Sequence, residues 1–192
     1  MGEIRIIGGL WRRTKLAVPD RPGLRPTPDR VRETLFNWLG QDLRGWRCLD
    51  AFAGTGALGF EAASRGAASV LMVEQDAVLV RALQETALRL QADAVSIQRG
   101  DGISAMQQQP QGGLDLICLD PPFVSDLFAP ALRAARIAVK VTGQVYLESP
   151  KAWSEAELAS FGYQLNRQLK AGQVWAHLLN PVLSVQPSLL GP

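Results

Sequence analysis

From Arg47 onward the chain alternates short apolar runs with longer stretches of helical period, and few folds accommodate that pattern. The runs are Cys48–Ala51, Val70–Glu74, Val95–Gln98 and Leu114–Leu119. Between them lie a helix over Ala57–Arg65 closed by Gly66, a helix over Ala77–Leu90 and a short helix after Gly102. Strands this apolar are buried on both faces, and each return to the same edge needs a helical crossover, so a parallel sheet covered on both sides is expected. A helix from about Leu127 to Lys140, a strand Gln144–Ser149 and a helix over roughly Ser154–Phe161 follow. The last two runs, Tyr163–Leu169 and Gln173–Leu179, flank Ala171-Gly172 and predict an antiparallel hairpin.

The first 46 residues read differently. Ile4–Ile7 and Lys15–Val18 predict two short strands around Gly8-Gly9, and the connector PDRPGLRPTPDR is too proline-rich to be helical. Thr27 is expected to cap a helix with Pro28 at its first position. Val31, Leu35, Trp38 and Leu39 share one face of that helix, which leaves Arg30 and Arg32 off the buried stripe, and Gly40 ends it. Residues 1–47 hold ten Lys and Arg against five Asp and Glu, whereas the rest of the chain is net acidic. Arginines interleaved with Trp11, Trp38 and Trp46 suit phosphate contact and base stacking, although a solvated face has the same composition.

Composition excludes several classes. A chain of 192 residues, 47% hydrophobic and 20% charged, fits one domain with a small appendage. No apolar run approaches the roughly 20 residues that span a bilayer, and the first residues lack the apolar stretch of a secretory signal, so a cytoplasmic protein is expected. Two cysteines and one histidine offer no Cys/His metal site. Cys48 and Cys118 are expected as small buried apolar residues on neighbouring strands, and His177 as a surface or edge residue of the last strand.

The segment LDAFAGTGALG joins a predicted strand to a predicted helix, and Gly54, Gly56 and Gly59 satisfy the spacing of a dinucleotide loop with Glu74 twenty residues after Gly54. A nicotinamide dinucleotide is one ligand that fits. Asp50 at the mouth of the turn and the lack of a basic residue in the loop argue against a pyrophosphate. S-adenosylmethionine, which carries an ammonium and a sulfonium beside an adenosine, suits Asp50 better. Glu74 would accept from the ribose hydroxyls and Asp101 from the adenine amino group, although acids in such places also cap turns and helices. Ligands of open α/β sheets bind beyond the carboxyl ends of the strands, where these three acids converge.

Directly after the fourth strand stands Asp120-Pro121-Pro122-Phe123. An exocyclic amino group on a base is a poor nucleophile, because its lone pair is delocalised, and it needs acceptors that orient it and take its hydrogens. Asp120 and the Pro121 carbonyl are such acceptors, the paired prolines stiffen the loop, and Phe123 offers a stacking face for an extruded base.

IRIIGGLWRRTKL, RPTPDRVRETLFNWL, LDAFAGTGALGFEAASRGA, DPPF and the AGQVW of the last hairpin together resemble the RsmD-type small-subunit ribosomal RNA guanine-N2 methyltransferases, from Ile4 to Leu179. The resemblance implies a Rossmann-like α/β class I methyltransferase fold, a seven-stranded, mostly parallel sheet with an antiparallel last strand, preceded by a small hairpin and helix. It implies S-adenosylmethionine as donor and a guanine of 16S rRNA, in the small subunit or its assembly precursor, as acceptor. Cofactor roles fall on Gly54, Gly56, Glu74 and Asp101, with Asp50, Phe52 and Gly102 in the same pocket, and the catalytic role on Asp120, Pro121, Pro122 and Phe123. Arg5, Arg12, Arg13, Lys15, Arg21, Arg25, Arg30 and Arg32 are expected to dock RNA. The expected partition is a docking extension at 1–46, the methyltransferase domain at 47–180 and a loosely attached tail at 181–192, in a monomer without metal. Thr55 stands where the family often has serine, and Pro28 where a polar residue is more usual.

Overall fold

The computed structural model describes residues 2–21, 24, 27–123 and 125–182. β1 (Gly2–Arg5) and β2 (Lys15–Val18) form an antiparallel pair with Arg5 opposite Lys15. The ladder continues past the strand end, since Ile6 N–H donates to Thr14 O and Arg13 N–H to Ile6 O. After α1 (Asp29–Leu39) come β3 (Arg47–Asp50), α2 (Ala57–Ser64), β4 (Ser69–Glu74), α3 (Ala77–Leu90), β5 (Val95–Arg99), α4 (Gly102–Gln107) and β6 (Leu114–Leu119). The chain then forms α5 (Phe128–Ala138), β7 (Val139–Ser149), α6 (Glu155–Ser160), β8 (Tyr163–Ala171) and β9 (Val174–Pro181).

Seven strands form one sheet in the order β5-β4-β3-β6-β7-β9-β8. The pairs from β5 through β7 are parallel and β8–β9 is an antiparallel hairpin, as the sequence pattern predicts, and β9 is also antiparallel to β7, as the family resemblance implies. The β8–β9 turn is Gly172-Gln173, one residue later than expected, because Ala171 still pairs with Val174. β7 begins at Val139, inside the segment expected to be helical, and its register against β6 shifts between Leu114 and Leu116.

Caps explain most helix starts. Asp76 accepts from the Val78 and Leu79 N–H groups at the head of α3, and Ser154 and Glu157 form a reciprocal capping box on α6. α1 departs from expectation. It begins at Asp29 with Pro28 in the cap position and no side-chain cap, while Thr27 is buried and its carbonyl accepts from Arg32 Nε at 3.2 Å.

Every residue of α2 is buried, which fits a helix apolar all round. The sheet covers one side, and the N-terminal hairpin and α1 cover the other. Ile4, Ile6, Leu16, Val31, Leu35 and Phe36 therefore share one core with Phe60, Met72 and Tyr146. A second core on the opposite sheet face joins Leu49, Ile117, Leu119, Leu147 and Leu179 to Leu132 and Leu158.

Arg32 corrects the sequence reading. The buried face of α1 is Val31, Arg32, Leu35 and Phe36, with Trp38 and Leu39 only half-buried, and Arg32 is 0% exposed. Its guanidinium reaches the Arg5 carbonyl at 2.8 Å, Asp29 at 2.5 Å and Glu61 at 3.4 Å. Glu61, itself buried in the middle of α2, also accepts from the backbone N–H groups of Ile7 and Gly8, each at 2.8 Å, and from Arg65. Arg65 lies over the Phe36 ring and donates to Gln41. One carboxylate thus ties hairpin, α1 and α2 together, and this is why a charged residue faces inward from α1.

His177 is corrected too. β9 lies between β7 and β8, so its residues are interior, and His177 is 0% exposed. Nε2 accepts from Trp153 N–H at 3.2 Å and Nδ1 lies 3.3 Å from the Leu147 carbonyl, while burial lowers its pKa and keeps the ring neutral. Cys48 and Cys118 are buried on adjacent strands as expected, with Cys48 pushed up to about 12 by burial, so neither thiol is a nucleophile at neutral pH.

Candidate active site

The strand order reverses between β3 and β6, and beyond the carboxyl ends there the structure gathers the expected acids. The loop between β3 and α2 turns on Gly54 and Gly56, at φ 52° and 76°. A Cβ on Gly56 would lie 2.5 Å from Leu83 Cδ2 and 2.8 Å from the Phe60 ring, so this glycine serves close packing of α2. Glu74 ends β4. One oxygen accepts the Gly54 N–H at 2.9 Å and the other the Asp76 N–H at 2.8 Å, which ties the loop to the neighbouring strand end.

Asp50 ends β3 and is 3% exposed. Oδ2 accepts from the Gly59 N–H at 3.1 Å, whereas Oδ1 is buried with no hydrogen-bond partner. Burial, aided by the charges of Glu74 and Glu148, raises its pKa to about 7 against the Gly59 hydrogen bond and the nearby Phe52 backbone, which lower it. Phe52 is half-buried and packs on the second core.

Asp101 caps α4: Oδ1 accepts from the Ser104 N–H at 2.8 Å and from the Ser104 hydroxyl, and Oδ2 from Gln75. The acid is where the sequence reading put it, but its side chain is engaged in the helix. Gly102 opens α4, and a Cβ there would lie 2.0 Å from the Ala51 carbonyl, so close backbone approach requires glycine.

Asp120 directly follows β6 and is half-buried, as is Phe123. Pro121 is buried and Pro122 exposed, and the Pro122 carbonyl accepts the Ser125 N–H at 3.0 Å, closing a turn immediately after the motif. Sequence reasoning missed Glu148. Register sets Asp50 beside Cys118 and Cys118 beside Tyr146, and two residues further along come Asp120, just past the end of β6, and Glu148 on β7. Glu148 is 2% exposed and accepts from the Tyr146 hydroxyl at 2.8 Å. The signal that marked Asp50 and Glu74, an acid closing an apolar run, was present in Val145–Ser149.

The basic residues of the N-terminal segment divide. Arg5 and Lys15 share Glu3, Arg21 pairs with Asp76, and Arg25 lies outside the described residues. Arg32 is buried in the Glu61 network, so it leaves the expected docking surface. Arg12, Arg13 and Arg30 are exposed. The loop with Arg12 and Arg13 is held at the C-terminal end of α2, where Leu10 N–H donates to Ser64 O and Trp11 N–H to Ser64 Oγ. The eight residues of α2 therefore separate it from the glycine loop by about 12 Å.

The chain matches the family described as "Conserved hypothetical protein 95" over residues 4–180. It is 39% identical over 175 residues to "Ribosomal RNA small subunit methyltransferase D" of Escherichia coli strain K12, covering 90% of this chain and 87% of that protein. With the protein of the same name from Haemophilus influenzae the identity is 42% over 157 residues, covering 78% and 80%. The chain belongs to the RsmD family. A solved structure described as "Putative methyltransferase yhhF from Escherichia coli" superposes with a TM-score of 0.79 at 35% identity, covering 94% of this chain and 99% of that one. The fold is accordingly the Rossmann-like α/β fold of class I methyltransferases. The family match runs from β1 into β9 and so includes the hairpin, α1 and every strand-end acid. Among the described residues no helix is long and apolar enough to cross a membrane, and no cluster of His, Cys, Asp and Glu could hold a metal.

Proposed function

We propose that the protein methylates the exocyclic N2 amino group of a guanine in 16S rRNA, within the small ribosomal subunit or its assembly precursor, with S-adenosylmethionine as donor, and that it works as a cytoplasmic monomer. The observation that carries this reading is the Asp120–Phe123 motif at the end of β6, beside the strand that bears Asp50 and its glycine loop. The names of the relatives support ribosomal RNA as the substrate class.

The buried, unpartnered Asp50 Oδ1 fits a ligand with a cationic end, and Glu74 keeps lone pairs for ribose hydroxyls while holding Gly54. When bound, S-adenosylmethionine supplies a methyl group activated by the positive sulfonium. Asp120 and the Pro121 carbonyl accept from the amino hydrogens and direct the nitrogen lone pair, Asp120 takes the proton that leaves, and Phe123 stacks on the extruded base. The partition into a docking extension at 1–46, a methyltransferase domain at 47–180 and a tail from 181 belongs to this reading, with exposed Arg12, Arg13 and Arg30 contacting phosphates.

Asp50 makes binding pH-dependent. Because its pKa stands at about 7 rather than 3.8, the free protein keeps it protonated in mild acid, and the stability this provides is lost as pH rises through about 7. Pairing with the ligand ammonium requires the ionised form, so binding should release a proton below about pH 7, and affinity should rise with pH and level off above it. Calorimetric titration of S-adenosylhomocysteine in two buffers of different ionisation heat, at about pH 6 and pH 8, measures this. Equal proton release at both would exclude Asp50 as the ammonium partner.

Nucleosides from small subunits methylated in vitro should contain N2-methylguanosine on mass spectrometry, and N6-methyladenosine would overturn the choice of base. Replacing Arg12, Arg13 and Lys15 together by alanine should cripple methylation of that substrate and leave S-adenosylhomocysteine affinity unchanged. For every phosphate that is no longer neutralised, the slope of log K for rRNA against log salt should flatten by about 0.9 on duplex or 0.7 on single strands. An unchanged slope would refute the docking role.

A further inference from the structure

We propose that Arg21 is a positioning residue for the cofactor site, clasping the N-terminal extension to the Asp76–Glu74 link so that rRNA docked on the extension and adenosyl ligand held at Glu74 strengthen each other's binding. The inference rests on the reading of Glu74 as the ribose acid.

Three residues beyond β2, Arg21 reaches the head of α3, where Nε lies 3.0 Å from Asp76 Oδ2, and Nη2 lies 2.8 Å from Oδ1 and 2.6 Å from Oδ2. A two-pronged guanidinium–carboxylate pair fixes orientation as well as distance. Asp76 is not a mobile surface acid. Its Oδ1 caps α3 through the Val78 and Leu79 N–H groups, at 2.7 and 3.3 Å. Its own N–H donates to Glu74 Oε1, and Glu74 Oε2 in turn holds the Gly54 N–H. Arg21, Asp76, Glu74 and Gly54 thus form one unbroken series of hydrogen bonds from the extension into the glycine loop. Arg21 also pulls the Asp76 pKa down to about 2, so the clasp stays ionised at any working pH.

Leu24 makes a second contact at the far end of this series. Its Cδ1 lies 3.3 Å from where a Cβ on Gly54 would stand, so the extension abuts the loop as well as the acid that holds it. The other end of the extension is anchored by Glu61 and Ser64 on α2. A load applied to the hairpin or α1 by rRNA is therefore transmitted to Glu74 through Arg21, and by linkage an occupied Glu74 site must favour docking equally.

The test measures S-adenosylhomocysteine binding by calorimetry, which needs no turnover. Arg21→Ala should weaken it by about five-fold or more. Asp76→Asn, which keeps a capping side chain but loses the ion pair, should match it, and the double variant should be no weaker than either single one. Arg21→Lys, with one point charge in place of a fork, should fall between. Arg89→Ala serves as control. It cuts a different tie between extension and domain, from Arg89 Nη2 to the Lys15 carbonyl at 2.9 Å, and should stay within about two-fold of wild type. An rRNA fragment that tightens binding to the wild type should not do so in Arg21→Ala. Wild-type affinity in Arg21→Ala, or an equal loss in Arg89→Ala, would overturn the clasp. Failure of the wild type to bind S-adenosylhomocysteine would instead remove the cofactor reading and the clasp with it.

Discussion

Glu61→Ala should destabilise the protein by about 3–5 kcal/mol, because it leaves the buried Arg65 guanidinium without its counterion and Arg32 with Asp29 alone. The Arg32 side chain is fully buried and that of Arg65 nearly so. The same change strips the acceptor from the Ile7 and Gly8 N–H groups, and a buried donor left unpaired costs about 1–3 kcal/mol. Against a total stability of about 5–15 kcal/mol, this change alone could exhaust the margin. Chemical denaturation of Glu61→Ala beside Glu61→Gln measures it, and proteolysis should cut first in the released hairpin. A loss below about 1 kcal/mol would mean that Glu61 does not clamp the extension. Replacing Glu61, Arg32 and Arg65 together by apolar residues of similar volume should cost far less than the single change, since no unpaired charge remains.

Asp120→Ala should slow methyl transfer by about a hundred- to a thousand-fold, the roughly 2.7–4 kcal/mol that one preorganised transition-state contact supplies. S-adenosylhomocysteine affinity and the melting temperature should barely change, because in the proposed mechanism the carboxylate acts on the acceptor, and it lies beyond the end of β6, outside the sheet ladder. Single-turnover transfer of a labelled methyl group to small subunits measures the rate. Turnover near the wild-type value would exclude the amino-group mechanism. Phe123→Leu should reduce the rate less, since leucine keeps apolar contact with an extruded base and loses only the stacking face.

Glu148 shows where local reading stopped. Asp50 and Asp120 were singled out because each closes an apolar run beside a glycine turn or a proline pair, and Glu74 because it closes one twenty residues after Gly54. Glu148 closes one too, but Ser149 and Pro150 follow it with no such marker. Its place beside Asp120 follows from the pairing of β6 with β7, brought together across α5. Asp101 was located correctly, yet only the folded chain reveals that its carboxylate caps α4 through Ser104.

The sequence by itself determined the succession of strands and helices, the parallel sheet, the antiparallel hairpin at its end, the glycine loop and the strand ends where acids gather. Each depends on period, turn chemistry or residues a few positions apart, and these act before distant parts of the chain meet. Tertiary structure alone decided which charges went inside. Arg32 is buried because Glu61 waits 29 residues away to receive it, and His177 is buried because the last strand enters the sheet between two others and Trp153, 24 residues away, donates to its ring. Burying an ionisable group is costly in isolation and tolerable only beside its partner. Where such a group ends up therefore depends on contacts that local pattern does not encode.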